Sequence, residues 1–376
     1  MGVNTDRRRR PMHVLLVEVP GNGAFRMGLE AAAAAGGHVF AVHPAESDVL
    51  FVCGTPGPEM RTVIDRVWDQ MPYPKHRATL AGLDEIGAVL TTAQDALADR
   101  RAQRSAALED AADHTGGQDL DDHRPDDEEP NHEHPDHADE SMHDHDMTMG
   151  GHDQMSMDHM SMSGPGGYPL ADGAADRDGL EMDVLHRRLG PILPSWPPGV
   201  VLDVTLAGDT ITHASASMID ITDHGRADPQ GVAAVALDQA AQVLTVAGWA
   251  AAAARTLRVR DLAVAGHRDR ARKLIRPLRR RIERSVALRW SLRGLQVRPA
   301  VEVRTVLLAR LERAEASLSG RRSEPEPTTT VDDIPALVEG RDIGSARLVV
   351  AALTVHTGSW TDTTDQGITT RRHHHA

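Results

Sequence analysis

Between residues 142 and 162 the chain reads MHDHDMTMGGHDQMSMDHMSM, with seven Met, four His and four Asp in 21 residues. Thioether sulfur is a soft donor that prefers Cu(I), whereas imidazole suits Cu(II), Ni(II) or Zn(II). The pairs Met147/Met149, Met155/Met157 and Met160/Met162, interleaved with His143, His145, His152 and His159, are therefore candidate ligands for copper or nickel. Gly150 and Gly151 let two such clusters fold around ions. Ordering the segment opposes binding, so about micromolar affinity is expected rather than a structural site. The alternative is an acidic, low-complexity linker whose histidines do nothing specific. The Met density favours metal, and copper over nickel.

A second stretch with chemical potential is VEVPGNGAFRMG (17–28), between an apolar run and LEAAAAAGG. Strand, Gly-rich turn and helix are the plain reading. Backbone N–H groups at such a turn can face an anion. The full GxGxxG spacing is not met, however, and no Lys-Ser/Thr follows, so the nucleotide signal is weak. No Ser/His/Asp or paired-carboxylate arrangement has persuasive spacing. His13, His38, His43 and His76 fall on or near strands and read as structural.

Composition narrows the classes further. Cys53 is the single cysteine of 376 residues, which excludes an internal disulfide and any cluster held by cysteines of this chain alone. The formal charge of −14 is segregated. Residues 109–158 hold 18 acidic side chains against one Arg, while 255–322 hold 20 Arg/Lys against 6 Asp/Glu. Opposite blocks of this kind attract each other or meet outside partners. Arg279, Arg280, Arg281, Arg284 and Arg289 form a basic helical face. Trp290 is the one aromatic residue nearby, so docking on an acidic partner or on the chain's own linker is expected and nucleic acid is not. No secretory signal is evident. The Ala-rich run 239–254 is short for a span and holds Gln239 and Gln242, with Asp238 beside it. A cytoplasmic protein is expected.

These segments need elements to position them. Residues 12–80 alternate strand-like and helix-like stretches: strands at 13–19, 38–44, 48–54 and 76–82, helices at 26–36 and 58–71. That alternation implies a parallel α/β sheet. A helix covers 85–108, and from 109 to about 167 no period survives, which predicts disorder. A hairpin spans 200–218, and helices follow at 229–254, 256–275, 277–318 and 334–357. The domain plan is a basic tail (1–11), a small parallel-sheet α/β domain (12–108), a disordered acidic His/Met-rich linker (109–178), a β-hairpin with a mainly α-helical domain (179–360), and a tail (361–376).

The stretches HVLLVEV (13–19) and SDVLFVCGTPGPEMRTVIDRVWDQMPYPK (47–75) resemble the small, cluster-carrying subunit of respiratory complex I (NADH:ubiquinone oxidoreductase) and of nickel–iron hydrogenases. In that family the turn after the first strand reads like Gly-Gly-Cys-Asn-Gly-Cys and ligates a [4Fe–4S] cluster. Here Asn22 and Phe25 stand where the two cysteines would be, and Ala81-Gly82-Leu83 stands where a later cysteine would come. A second, fainter resemblance joins LGPILPSWPPGVVLDVTLAGDTI (189–211) to the opening hairpin of the family's large, quinone-facing subunit. Gly190, Pro191, Pro194, Gly199, Gly208 and Asp209 match, while Leu193 and Pro198 replace its two histidines. The resemblance implies a fused small-plus-large pair without iron–sulfur ligands, not catalytic alone, that docks on oxidoreductase subunits and reaches a membrane through a partner. The rivals are a copper- or nickel-binding protein, and a subunit whose cluster is completed by another chain's cysteines.

Overall fold

In the computed structural model, residues 10–116, 173–175, 181–220 and 231–355 are described. The chain divides into two compact units, Leu108–Ala171 and, together, Met1–Ala107 with Asp172–Ala376. Apart from the end of one helix, the described elements belong to the second of these.

The N-terminal part is a parallel sheet of four strands: β1 (His13–Glu18), β2 (Val39–Phe40), β3 (Val49–Cys53) and β4 (His76–Leu80), in the order β2-β1-β3-β4. Every residue of β3 is buried, as expected of a central parallel strand covered on both faces. Helices α1 (Gly23–Ala35) and α3 (Ile86–Ala98) cover one face, where Leu29, Phe51 and Ala93 meet. Helix α2 (Pro58–Asp69) covers the other through Met60 and Ile64. Lys75, from the Pro-rich stretch after α2, is buried. Its Nζ donates to Trp68 O at 3.2 Å and lies 4.4 Å from the Trp68 ring centre. Because β1 sits between β2 and β3, the chain leaves β1 toward one side and later returns on the other. The carboxyl ends of β1 and β3 thus flank a switch point, the place where open α/β sheets form a crevice.

The C-terminal part is an antiparallel sheet of β5 (Gly173–Ala175), β6 (Glu181–Leu189), β7 (Val200–Ala207) and β8 (Thr210–Met218). Its buried face joins one large core with helices α5 (Val232–Val246), α6 (Ala250–Val264), α7 (Arg268–Glu283), α8 (Val286–Ser291), α9 (Val303–Leu318), α10 (Ile334–Val338) and α11 (Ile343–Ala352). A small ribbon, β9 (Gln296–Arg298) with β10 (Val301–Glu302), leads into α9. Among the described residues, no helix is long and apolar enough to cross a membrane.

The α/β class holds, with differences in detail. The second sequence strand shrinks to Val39–Phe40, because Gly36 and Gly37 turn the chain and Pro44 opens a 3-10 turn. The 85–108 helix breaks at Asp99, whose carboxylate caps the following α4 (Arg100–Gly116), and α4 enters the segment expected to lack structure. The short β5 also falls within that segment. The hairpin gains β6, a run whose polar stretch His186-Arg187-Arg188 hid its alternation. Pro277 lies inside α7, so the expected break there moves to Gly266 and to Ser285. The 334–357 helix splits at Glu339–Asp342, around Gly340 at φ +75°.

The two parts share a contact surface. Ile192 and Ile219 pack on the α2 face of the parallel sheet. Asp220 accepts a 2.6 Å hydrogen bond from Met60 N in the first turn of α2, where its charge suits the helix dipole.

Candidate functional site

The turn at the switch point is closed by its own side chains. Gly21 (φ +82°) lets the backbone reverse, and Asn22 then points inward, 7% exposed. Its Nδ2 donates to Val19 O at 3.3 Å and Pro20 O at 3.2 Å. The amide lies flat against Gly54 at the end of β3: a Cβ on Gly54 would stand 2.5 Å from Asn22 Cγ. Phe25, in the first turn of α1, is partly buried and packs against the core of the sheet. From the other part, Gly199 (φ +79°) comes so near the turn that a Cβ there would meet Pro20 Cγ at 2.6 Å.

This geometry tests the cluster that the family resemblance implies. A [4Fe–4S] cluster needs four ligands, normally thiolates. The turn offers an amide already tied to two carbonyls and a phenyl ring packed against the core. Cys53 is fully buried in β3, and burial pushes its thiol well above the ordinary range. The donor set does not fit the cluster.

Beside the turn lies a cavity of about 290 Å³ walled by Glu18, Arg26, Asp238, Gln242, Pro197 and Pro198. That is just below the ~300 Å³ at which small-molecule sites usually begin. Pro198, which the sequence resemblance sets against a histidine of the large-subunit loop, lines this cavity, and Leu193, set against the other, packs on the main core.

The polar wall belongs to a buried ionic network that joins the two parts. Arg26 reaches Glu18, Glu30 (2.8 Å) and Asp238 (2.5 Å). Arg260, only 1% exposed, reaches Glu30 (2.5 Å), Asp238 (2.6 Å) and Asp261 (2.8 Å). Gln242 Nε2 donates to Asp238 at 3.1 Å. Four carboxylates thus surround two guanidiniums. Their protons respond unequally. Burial raises Glu18, and the neighbouring Arg26 only partly offsets it. Burial also acts to raise Asp238, but Arg26 and Arg260 together outweigh it and hold that carboxyl below the usual range. Asp261 is raised by burial. The two carboxyls of this wall thus shift in opposite directions.

Sequence reasoning missed this network. The available signal was Asp238, a lone acid in an Ala/Val/Leu helix with Gln242 one turn on, and Arg260 on the next helix. A second buried charge, Arg310, donates to Ala352 O at 2.7 Å and to Thr354 Oγ1, and pairs with Glu326 at 2.8 Å. It satisfies carbonyls at the end of α11, which otherwise lack partners.

The remaining sequence candidates divide in two. His143, His145, Met147, Met149, His152, Met155, Met157, His159, Met160 and Met162 lie outside the described residues. Among the described residues, no group of three or more His, Cys, Asp or Glu is arranged to hold a metal ion. The strand histidines have structural bonds: His13 Nδ1 contacts Glu46 O at 3.1 Å, and His38 Nδ1 accepts from Met12 N at 3.1 Å.

No family model matches the chain. Over 57 residues, 15% of this chain, it is 37% identical to the B 1 subunit of the NADH-quinone oxidoreductase of Solibacter usitatus (strain Ellin6076). The match spans 30% of that protein's length. No solved structure matches.

Proposed function

We propose that this chain is a cluster-free relative of the complex I small and large subunits, fused on one polypeptide, that serves as an accessory or docking subunit of an oxidoreductase and is not catalytic alone. The similarity to a stretch of an NADH-quinone oxidoreductase B-type subunit supports the relationship. The observation that carries the reading is Asn22, buried at the switch point and hydrogen-bonded to Val19 O and Pro20 O. The crevice where the family resemblance puts iron ligands is filled by an amide that cannot grip iron. What remains is a scaffold with surfaces, and its partners are oxidoreductase subunits. The test is affinity purification of the tagged chain from its own cell, with anaerobic iron–sulfide reconstitution of the isolated protein alongside. Recovery of oxidoreductase subunits with a colourless preparation supports the proposal. A brown preparation with absorbance near 400 nm overturns it.

The density of Met and His at 142–162 favours a second role, capture of copper or nickel. Titration with Cu(I) and with Ni(II) under a competing chelator tests it. Binding lost when the seven Met of this segment become Ser identifies a copper site. Binding unchanged in that variant sinks the copper reading.

A further inference from the structure

A groove of about 680 Å³ lies far in sequence from the switch-point turn and has a different character. It runs between α6 and α7. Its floor is apolar: Val259, Leu262, Leu278 and the 43% exposed Leu274. Its rims carry five exposed cations, Arg255 and Arg258 from α6 and Arg270, Lys273 and Arg281 from α7. No acid lines it, and among the described residues none of the five has a carboxylate partner. The basic surface continues along Arg276, Arg280 and Arg284. Helix α8, next in the chain, exposes Val286 (66%) and Trp290 (78%), with Arg289 preceding the Trp.

We propose that the α6–α7 groove, with Trp290 of α8, docks the protein directly on an anionic phospholipid surface. A folded protein normally pairs or scatters its cations. Five unpaired ones around exposed Leu274 instead match a layer of phosphates lying over hydrocarbon. Arg and Lys stems can lie along the apolar floor while their heads meet phosphate. Exposed Trp and Leu beside clustered Arg are the residues of interfacial anchoring. Nucleic acid fits less well, because the groove has an apolar floor and Trp290 alone could stack a base. The overall charge of −14 does not prevent binding, since the acid is concentrated in 109–158 and exposed charges are screened beyond about 8 Å at physiological salt.

The experiment is co-sedimentation of the full chain with vesicles of phosphatidylcholine alone, or of phosphatidylcholine and phosphatidylglycerol in equal parts. Two variants are compared: one with Arg255, Arg258, Arg270, Lys273 and Arg281 all changed to Gln, and Leu274→Ser with Trp290→Ala. All these positions are exposed, and unchanged melting curves establish that the variants fold. Binding is expected to the anionic vesicles only. The five-Gln variant should lose at least about a hundredfold in partitioning, from the usual contribution of each cation near an anionic surface. The Leu274→Ser, Trp290→Ala variant should lose the part of binding that survives high salt. Equal binding to both vesicles, no binding, or no effect of the five-Gln change overturns the proposal. So does a soluble polyglutamate peptide that displaces the vesicles while the apolar variant binds like wild type, which would make the groove a site for an acidic protein.

Discussion

The ionic network allows a prediction in which two removals of buried carboxylates give unequal results. Counting charges alone, four carboxylates against two guanidiniums leave an excess of negative charge, so neutralising any one acid should help. Geometry says otherwise for Asp238. Its oxygens accept from Arg26 at 2.5 Å, Arg260 at 2.6 Å and Gln242 at 3.1 Å. Asp238→Asn places an NH₂ against guanidinium donors and weakens charge-assisted bonds worth about 1.5–3 kcal/mol each. Both arginines keep other partners, Glu18 and Glu30 for one, Glu30 and Asp261 for the other. The loss therefore falls near the lower end of the range for breaking a buried pair, about 3 kcal/mol. Glu18→Gln should cost under about 1 kcal/mol at neutral pH, because the wild-type carboxylate is itself held at a desolvation cost that the amide avoids. The assay is guanidinium unfolding at several pH values, followed by far-UV circular dichroism and tryptophan fluorescence. The pH trends have opposite signs. Asp238 is depressed, so its contribution is present above its ordinary 3.8 and is lost as pH falls through the folded value. The Asn penalty should fade in acid. Glu18 is raised, so its contribution is present below its ordinary 4.5 and is lost as pH rises through the folded value. The Gln variant should gain on wild type across that rise. Glu18→Gln costing more than Asp238→Asn at neutral pH would refute the assignment of charges in this wall.

Other positions give sharper local tests. Gly54→Ala puts a Cβ at φ +102° and 2.5 Å from Asn22, so a loss of about 1–3 kcal/mol in unfolding free energy is expected from backbone strain, with the clash added. Adding Asn22→Ala should recover the clash but not the strain, a non-additivity visible in a double-mutant cycle. Arg310→Met leaves Glu326 half-paired with Arg313 and strips the α11 carbonyls, and about 3–5 kcal/mol should be lost in the same unfolding assay. Adding Glu326→Gln should restore part of it.

How much of this was legible in the sequence depended on whether a signal was local. Strand β3 and helix α2 were, because VLFVC is continuously apolar and α2 has Pro58 at its start with Met60 and Ile64 on one face. The break at Asp99 was not, since an Asp in an Ala-rich run reads as a surface residue until it is seen capping Arg101 and Ala102. Pro277 misled for a related reason: the helix accommodates it on an exposed face, where neighbouring groups need no shielding from water. At the site, Asn22 and Phe25 could be read as substitutes for thiols. That Asn22 packs on Gly54, 32 positions away, could not. The Arg26–Asp238 pair spans 212 positions, and nothing periodic in either helix points to the other.

The distance in sequence also bears on what the network is for. A buried ion cluster is weak evidence of stability, because well-packed apolar residues of the same volume often do as well or better. An apolar contact between α1 and α5–α6 would, however, tolerate sliding. Bonds from two planar guanidiniums to carboxylates on both sides do not, since each fork accepts partners only along fixed directions. Glu18, Arg26 and Glu30 come from β1 and α1, and Asp238, Arg260 and Asp261 from α5 and α6. The network therefore fixes α1 against the helical part in one register, and that register brings Gly199 onto Pro20. The turn at the switch point is filled from within by Asn22, covered by the 197–199 loop and held in place from the side. Replacing the six charged residues together by apolar ones of similar size should then leave the chain folded while loosening the register. The observable is amide exchange: faster at Val19, Gly21, Asn22 and Gly23 and at Gly199 and Val200, unchanged in β3. Protection of both segments equal to wild type would mean that apolar packing alone sets how the parts meet, and that the charges have no positional role.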